Sequence, residues 1–508
     1  MKQNNPILIP ELVELIAGHL PPHSLTTCLL VNHDWNDAFL PYLYKHIVVF
    51  DFDFYSRYPE YCFGARTAGK MRPAEIDVSY GGSQVFKYTH FTKTITTANV
   101  HSFKYLGVNC TNLTHASIVS QYRDKKIYSA YPLLPDERAD WHEYFKTRTR
   151  SQTADLWVEL IERNPSLVYV RLDLEEVSQG LDRIAKALSN LSQLQEISLY
   201  KPTHRNVVEL FLDHCPNITR FEYSAVSPRV AFSPSEPARP TQVRHLKFDY
   251  PSTCEPRVLA YLVRRCPNLE RLSLPFNPRA ELLSTVATTI RASECRATLK
   301  HLDFDGNITS SPGNPELESL LLAYECLASI SFTRARLEFD AAFYLRDPGL
   351  RDRLQVFTYS PTFPGRIFQT VAVLELCPNL SVFQIDNASV RIDRFLSIDW
   401  CCQESLKSLR ISINMIMAQA VVFERYREIW ERGGVKEGDH GAWELVVLDS
   451  LTQLRGLEVL ELEGVPGLSI SENMWNSSPP RPDEEAWIEL KKQLHLKVFR
   501  LFGTRYNM

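Results

Sequence analysis

Short strings with the apolar pattern L-x-x-L-x-L recur along most of this 508-residue chain. The clearest copies begin with Cys-Pro-Asn and occupy 215–223, 266–274 and 377–385, and a looser copy occupies 110–118. Degenerate copies begin at Ser166, Gln193, Thr298, Cys326, Ser405 and Gly456. Because apolar residues at every second position form one face of a strand, each copy predicts a short strand with one buried face.

The copies are evenly spaced. Ten of them place their first apolar residue at Leu167, Leu194, Ile218, Val243, Leu269, Leu299, Leu327, Leu354, Leu380 and Leu406. Successive members are about 24 to 30 residues apart, which is the period of leucine-rich repeats. A strand and its returning helix cannot bury their apolar faces alone, so stacked copies share one core. We therefore predict an α/β fold, a leucine-rich-repeat horseshoe over residues 91–508 with parallel strands on its concave face.

The segments between the predicted strands have helical character. Residues 256–266 carry Val258, Leu259, Leu262 and Val263 on one stripe, and a second helix is predicted over 366–377. Both segments run into Cys-Pro-Asn, where proline ends the helix and turns the chain toward the next strand. The 11 cysteines are scattered without a C-x-x-C pair, so we interpret those at the turns as small buried apolar groups rather than metal ligands.

The first fifty residues do not follow the repeat pattern. They predict three helices, the first with Leu12 and Ile16 on a broad apolar face, the second capped by Ser24 and the third capped by Asp34. Three short helices are too small to bury this much apolar surface among themselves. We therefore expect part of that surface to contact a partner.

Residues 5–48 resemble an F-box. The Ile9-Pro10-Glu11 start and the residues Ile16, Leu20, Leu25, Leu29, Val31 and Trp35 match the family pattern. Asn32 and His33 depart from it, because the family often has a cysteine and a basic residue there. Together with the repeats, the whole chain is similar to fungal F-box proteins with leucine-rich repeats.

This resemblance implies a substrate-recognition subunit of an SCF-type cullin–RING ubiquitin ligase. Its N-terminal helices would dock to the Skp-family adaptor through Pro10, Glu11, Leu12, Ile16, Leu20, Leu25, Leu29, Val31 and Trp35. The repeats would recruit a protein substrate. The alternative is a leucine-rich-repeat interaction scaffold without a ligase role, whose helices only cap the first repeat. Residues 49–90 are predicted to be a linker or a first, irregular repeat.

The polar residues between the apolar positions point away from the core and are the predicted substrate surface. The candidate contacts are Tyr169, Arg171, Arg220, Arg271, Asp303 and Glu461, together with the aromatic residues Trp141 and Tyr144. The two aromatic residues belong to an insertion at 120–155, and a second insertion lies at 415–441. Because the charges are of both signs, the surface suits a protein partner better than a nucleic acid, which would require a basic stripe.

The net charge and the composition restrict the partners and the location that we expect. The net charge of −4 and the pI near 6.4 give no general attraction to nucleic acids or anionic membranes. The sequence has no apolar run of membrane-spanning length and no signal-peptide pattern at its start. We therefore expect a cytoplasmic and/or nuclear protein with no membrane or nucleic-acid partner.

Two motifs come close to known sites without completing them. Residues 64–71 nearly match a phosphate-binding loop, but Met71 occupies the position whose hydroxyl would bind magnesium. His19 and His23 have the spacing of a zinc pair, but the two prolines between them prevent a shared helical face. We find no catalytic group of residues and predict a protein that is not an enzyme, with no cofactor and no metal.

Overall fold

The computed structural model describes residues 10–20, 22–43, 45–49, 74–75, 92–97, 110–118, 150–174, 180–200, 207–224, 239–249, 256–274, 280–305, 315–335, 339–361, 368–414, 450–464, 498–501 and 504–506. The chain divides into two compact units, Met1–Val243 and Arg244–Met508. Each unit is an α/β structure built on a parallel sheet.

The first unit begins with three helices, α1 (Pro10–His19), α2 (Pro22–Leu29) and α3 (His33–Leu43). Their core consists of Val13, Ala17, Leu25 and Phe39, all buried. Leu20, Leu29 and Trp35 pack against this core while staying partly exposed. We call the four buried residues, Val13, Ala17, Leu25 and Phe39, the N-terminal core.

The caps of these helices differ from the predicted ones. Helix α3 begins at His33, and the Oδ1 atom of Asn32 accepts a hydrogen bond of 2.9 Å from the backbone N–H of Trp35. Asn32 is thus the N-cap, and the prediction that Asp34 caps this helix was wrong. Ser24 is not a cap either, because α2 already begins at Pro22. An asparagine at the N-cap satisfies one of the free N–H groups at a helix start.

Replacing Asn32 with alanine should therefore lower the stability of the three-helix segment by about 1 kcal/mol. Hydrogen exchange of the α3 amides is a suitable measurement, because it reports local opening. The matched control is Asp34→Ala, which leaves the cap intact and should have the smaller effect. A larger effect of Asp34→Ala would contradict the assignment of the cap.

The sheet of the first unit starts directly after α3. Its strands are β1 (His46–Val49), β2 (Ala74–Glu75), β3 (Thr94–Thr97), β4 (His115–Ile118), β5 (Tyr169–Asp173), β6 (Glu196–Tyr200) and β7 (Arg220–Ser224). β1 pairs with β2 and with β3, and each strand from β3 to β7 pairs in parallel with the next. Helices α4 (Arg150–Arg163), α5 (Leu181–Ser189) and α6 (Val207–His214) precede β5, β6 and β7.

The second unit continues the same alternation. Its strands are β8 (His245–Asp249), β9 (Arg271–Leu274), β10 (His301–Asp305), β11 (Ser329–Ala335), β12 (Val356–Pro361), β13 (Val382–Arg391), β14 (Ser408–Asn414), β15 (Val459–Gly464), β16 (Val498–Leu501) and β17 (Thr504–Tyr506). From β8 to β16 each strand pairs in parallel with the next, whereas β17 pairs antiparallel to β16.

Helices lie between most of these strands. They are α7 (Pro256–Arg265), α8 (Ala280–Arg291), α9 (Pro315–Leu321), α10 (Ala341–Tyr344), α11 (Pro348–Arg353), α12 (Phe368–Val371), α13 (Val373–Leu376) and α14 (Ile392–Leu396), with a 3₁₀ turn at Glu294–Ala297. The helix predicted over 256–266 is thus confirmed. The one predicted over 366–377 is instead two short helices, interrupted at Ala372.

The repeat pattern predicts the core well. All ten first apolar positions are buried, and the prediction that Leu269, Leu272 and Leu274 face the core is confirmed, since none of the three is exposed. The turn residues Cys110, Cys215, Cys266 and Cys377 are buried, as predicted, while Cys326 is only partly so. Burial raises the pKa of the Cys215 thiol to about 12, so it stays protonated and behaves as an apolar group.

Polar side chains at some turns join a copy to the preceding one. Asn164, which follows α4, donates to the carbonyls of Cys110 at 2.9 Å and Leu160 at 2.8 Å and accepts from the N–H of Leu113 at 2.8 Å. Ser405 donates to the carbonyl of Leu380 at 2.8 Å. These bonds satisfy backbone groups that the turns would otherwise leave unpaired.

Candidate functional site

The N-terminal helices expose an unusual amount of apolar side chain. Among the described residues, the exposed large apolar side chains are Leu12 (41%), Leu15 (59%), Ile16 (36%), Leu30 (81%), Val31 (57%) and Leu322 (43%). The first five lie on α1 or just after α2, and we call them the N-terminal apolar surface. Clusters of exposed apolar side chains mark contact sites more often than isolated ones do.

The predicted adaptor contacts fall into two groups. Glu11, Leu12, Ile16 and Val31 are exposed and accessible to a partner. Leu20, Leu29 and Trp35 are partly buried against the N-terminal core, and Leu25 belongs to that core. Pro10 starts α1, but its side chain lies outside the described residues. Sequence matching did not separate these groups. Leu15 and Leu30, which are not among the predicted contacts, are also exposed.

The predicted substrate contacts of the first unit lie on the outward face of β5, β6 and β7. The register places Tyr169, Glu196 and Arg220 in one row and Arg171, Ser198 and Glu222 in the next. A third row contains Asp173, Tyr200 and Ser224. We call these nine residues the first-unit strand face. Ser224 follows the last apolar position of its copy, and the alternation of outward side chains continues through it.

Charged and aromatic groups contact each other on the first-unit strand face. Arg220 and Glu196 form an ion pair of 3.6 Å, and the guanidinium of Arg171 lies over the Tyr200 ring, 5.4 Å from its centroid. Burial raises the pKa of Tyr169 to about 12, and the positive charge of Arg171 opposes this rise. The Tyr169 phenol therefore remains protonated at neutral pH.

Three buried polar atoms of the first-unit strand face make no hydrogen bond to the described protein. They are Nε of Arg171 and the hydroxyl oxygens of Ser198 and Ser224. Both serines are only 1% exposed. The Ser198 hydroxyl is close enough to help lower the pKa of Tyr169, but the two groups lack the geometry of an ordinary hydrogen bond.

The predicted contacts of the second unit bind each other instead. Arg271 and Asp303 form a bidentate ion pair, with 2.5 Å from Nε to Oδ2 and 3.2 Å from Nη2 to Oδ1, and the Ser273 hydroxyl donates to Oδ2 at 2.7 Å. Burial and the charge of Arg271 lower the pKa of His301 beside them. A partner binding here would have to compete with these bonds.

Glu461 is likewise held by a neighbour. The Nε atom of Arg410 lies 3.3 Å from the carboxylate of Glu461 on one side and 3.0 Å from that of Asp386 on the other. A single guanidinium therefore bridges the outward faces of β13, β14 and β15. The sequence identified Glu461 but could not show this bridge, which depends on the register of three strands.

Several predicted features lie outside the described residues, namely Trp141, Tyr144 and the motif at 64–71. Within the described part of the chain, no group of three or more His, Cys, Asp or Glu residues is arranged to hold a metal ion. None of the described helices is long and apolar enough to cross a bilayer. No model of a known protein family matches the chain, and no curated protein matches it significantly.

Proposed function

We propose that this chain is the substrate-recognition subunit of an SCF-type cullin–RING ubiquitin ligase. In this proposal residues 5–48 are an F-box that docks to the Skp-family adaptor, and the leucine-rich repeats recruit a protein substrate. The sequence motifs quoted above support the first part. The alternation of buried apolar and outward polar residues along parallel strands supports the second.

The N-terminal apolar surface carries the proposal. A freely soluble segment gains nothing from exposing Leu12, Leu15 and Ile16 on one short helix, because apolar surface in water is unfavourable by about 25 cal/mol per Å². Covering these side chains with a partner would recover that free energy. The N-terminal core is complete without them, so the helices can fold and still offer this surface.

The experiment is co-purification of the chain with the Skp-family adaptor, using wild-type protein and the variant L12D/I16D. Because Leu12 and Ile16 are both exposed, the variant should fold normally. Its adaptor binding should fall at least about tenfold, since burying a charge without a partner in an interface is costly. Ile16 is a better target than Leu20, because Leu20 also packs against the N-terminal core.

The matched control is Leu322→Asp. Leu322 is 43% exposed, close to the 41% of Leu12, but belongs to the second unit. This variant should retain adaptor binding. If L12D/I16D binds the adaptor as well as the wild type does, the assignment of the N-terminal apolar surface is wrong.

One observation favours the alternative function, a repeat scaffold whose helices act as a cap. Strand β1 begins at His46, a few residues after α3 ends at Leu43, so the helices lead straight into the sheet. Terminal elements of repeat arrays commonly shield the first repeat in this way. Wild-type protein that fails to bind the adaptor would support the scaffold and overturn the ligase proposal.

A further inference from the structure

The turn between α2 and α3 presents apolar side chains to solvent. Among the described residues it carries two of the three most exposed large apolar side chains, Leu30 (81%) and Val31 (57%). Both lie between Leu29, where α2 ends, and Asn32, which caps α3. We call residues 29–32 the α2–α3 turn. A partner can reach both apolar side chains without any rearrangement of the helices.

Backbone hydrogen bonds hold this turn in one conformation. The N–H of Leu30 donates to the carbonyl of Thr27 at 3.1 Å, and the N–H of Val31 donates to the carbonyl of Cys28 at 3.2 Å. Bonds to the carbonyl three residues earlier tighten the last turn of a helix. The two most exposed positions of the turn are therefore carried by a bonded backbone.

Asn36 joins the α2–α3 turn to α3. Its Nδ2 atom donates to the carbonyl of Leu29 at 3.2 Å, although Asn36 lies seven positions later, in the first turn of α3. The last four carbonyls of a helix have no partner within that helix, so a side-chain donor is useful there. The N–H of Asn36 in turn donates to the carbonyl of Asn32 at 2.9 Å. One amide side chain thus links the two ends of the segment that contains Leu30 and Val31.

We propose that the α2–α3 turn is a preorganised anchor for the adaptor and that Asn36 is the positioning residue that holds it. This inference rests on the proposed function. Leu30 and Val31 offer neither charge nor hydrogen-bonding groups in their side chains, so they are recognised by an apolar depression on the partner. A turn that is ordered before binding loses less conformational entropy in the complex, and this strengthens the association.

The anchor is tested by measuring the affinity of the purified full chain for the Skp-family adaptor by titration calorimetry. The variant L30A/V31A should bind at least about tenfold more weakly, which corresponds to about 1.4 kcal/mol. Its melting temperature should stay that of the wild type, because both side chains are exposed. The matched control is Leu322→Ala, an exposed leucine of the second unit, which should leave the affinity unchanged.

The positioning role is tested with Asn36→Asp. The carboxylate has nearly the shape of the amide but can only accept hydrogen bonds, so it cannot bind the carbonyl of Leu29. A negative charge in the first turn of α3 favours that helix, so α3 should persist. Hydrogen exchange of the Leu30 and Val31 amides should become faster in the free protein. Adaptor affinity should fall roughly fivefold as the preorganisation is lost.

A double-mutant cycle separates positioning from a general loss of stability. If Asn36 acts through the turn, adding Asn36→Asp to L30A/V31A should weaken binding by less than about twofold further, because the anchor is already absent. Added to Leu12→Ala, which alters α1 instead, the same change should still weaken binding roughly fivefold.

Each contrary result has a defined meaning. Wild-type affinity of L30A/V31A would overturn the anchor. A full fivefold loss from Asn36→Asp in the L30A/V31A background, or fast exchange throughout α1 and α3, would overturn the positioning role. In these cases adaptor binding by the wild-type chain leaves the ligase proposal standing. A wild-type chain that does not bind the adaptor would overturn the ligase proposal and this inference together.

Discussion

Replacing Leu272 with aspartate should lower the free energy of unfolding of the second unit by about 4 kcal/mol or more. Leu272 lies in strand β9 between Leu246 of β8 and Leu302 of β10, and all three side chains are buried. Because its partners on both neighbouring strands are leucines, a carboxylate at this position would face apolar side chains. The protein must therefore bury an unpaired charge or separate the strands, and either response is costly.

Chemical denaturation followed by tryptophan fluorescence or circular dichroism measures this loss. Leu272→Ala should cost about 2 to 5 kcal/mol, because it removes the same contacts without adding a charge. The neighbouring Arg271→Ala is the control for an outward position. Arg271 is half-exposed while its partner Asp303 is only 13% exposed, so this substitution should cost roughly 1 to 2 kcal/mol, less than the loss at Leu272. Wild-type stability of Leu272→Asp would refute the assignment of the repeat core.

The Asn164→Ala variant should lose about 3 kcal/mol of stability in the first unit, the second-largest effect we expect. The Asn164 side chain is fully buried and makes three hydrogen bonds, two of them to backbone groups that lie more than fifty positions earlier. Its removal leaves the N–H of Leu113 and the carbonyl of Cys110 buried without this partner. Each such loss costs about 1 to 3 kcal/mol.

The chain provides a matched control for this variant. Asn190 follows helix α5 as Asn164 follows helix α4, but its side chain is exposed. Asn190→Ala should therefore change the free energy of unfolding by about 0.5 kcal/mol or less. Equal losses for the two variants would show that the position after the helix matters and that the buried hydrogen bonds do not.

The buried residues of the repeats can be predicted from the sequence because the side of a strand that a residue faces depends only on its position within that strand. A Leu two residues from another Leu within one strand faces the same side whatever the rest of the chain does. Leu272 and Leu274, which lie two residues apart in β9, are therefore predicted correctly from a single nine-residue string. The same argument predicts that Arg271 and Ser273 point outward.

Contacts between copies could not be predicted in this way. The pairing of Arg271 with Asp303 requires the register of β9 against β10, and a shift of one residue would separate them. The N-cap of α3 could not be predicted either, because asparagine and aspartate are about equally favourable at that position. In the structure Asn32 caps α3 and Asp34 does not. In the N-terminal helices, the division between core residues such as Leu25 and surface residues such as Leu15 depends on how three helices pack.

Within each unit most strands pair with their sequence neighbours, and this has a kinetic consequence. Within either unit the sheet is assembled from contacts of modest sequence separation, so its relative contact order is lower than that of a β-sandwich of similar size. Chain segments that meet early lose little loop entropy, and folding can start at any copy and spread to the adjacent ones. We expect mutations in different copies of one unit to slow its refolding to different extents, and the copy with the largest effect would identify where folding begins.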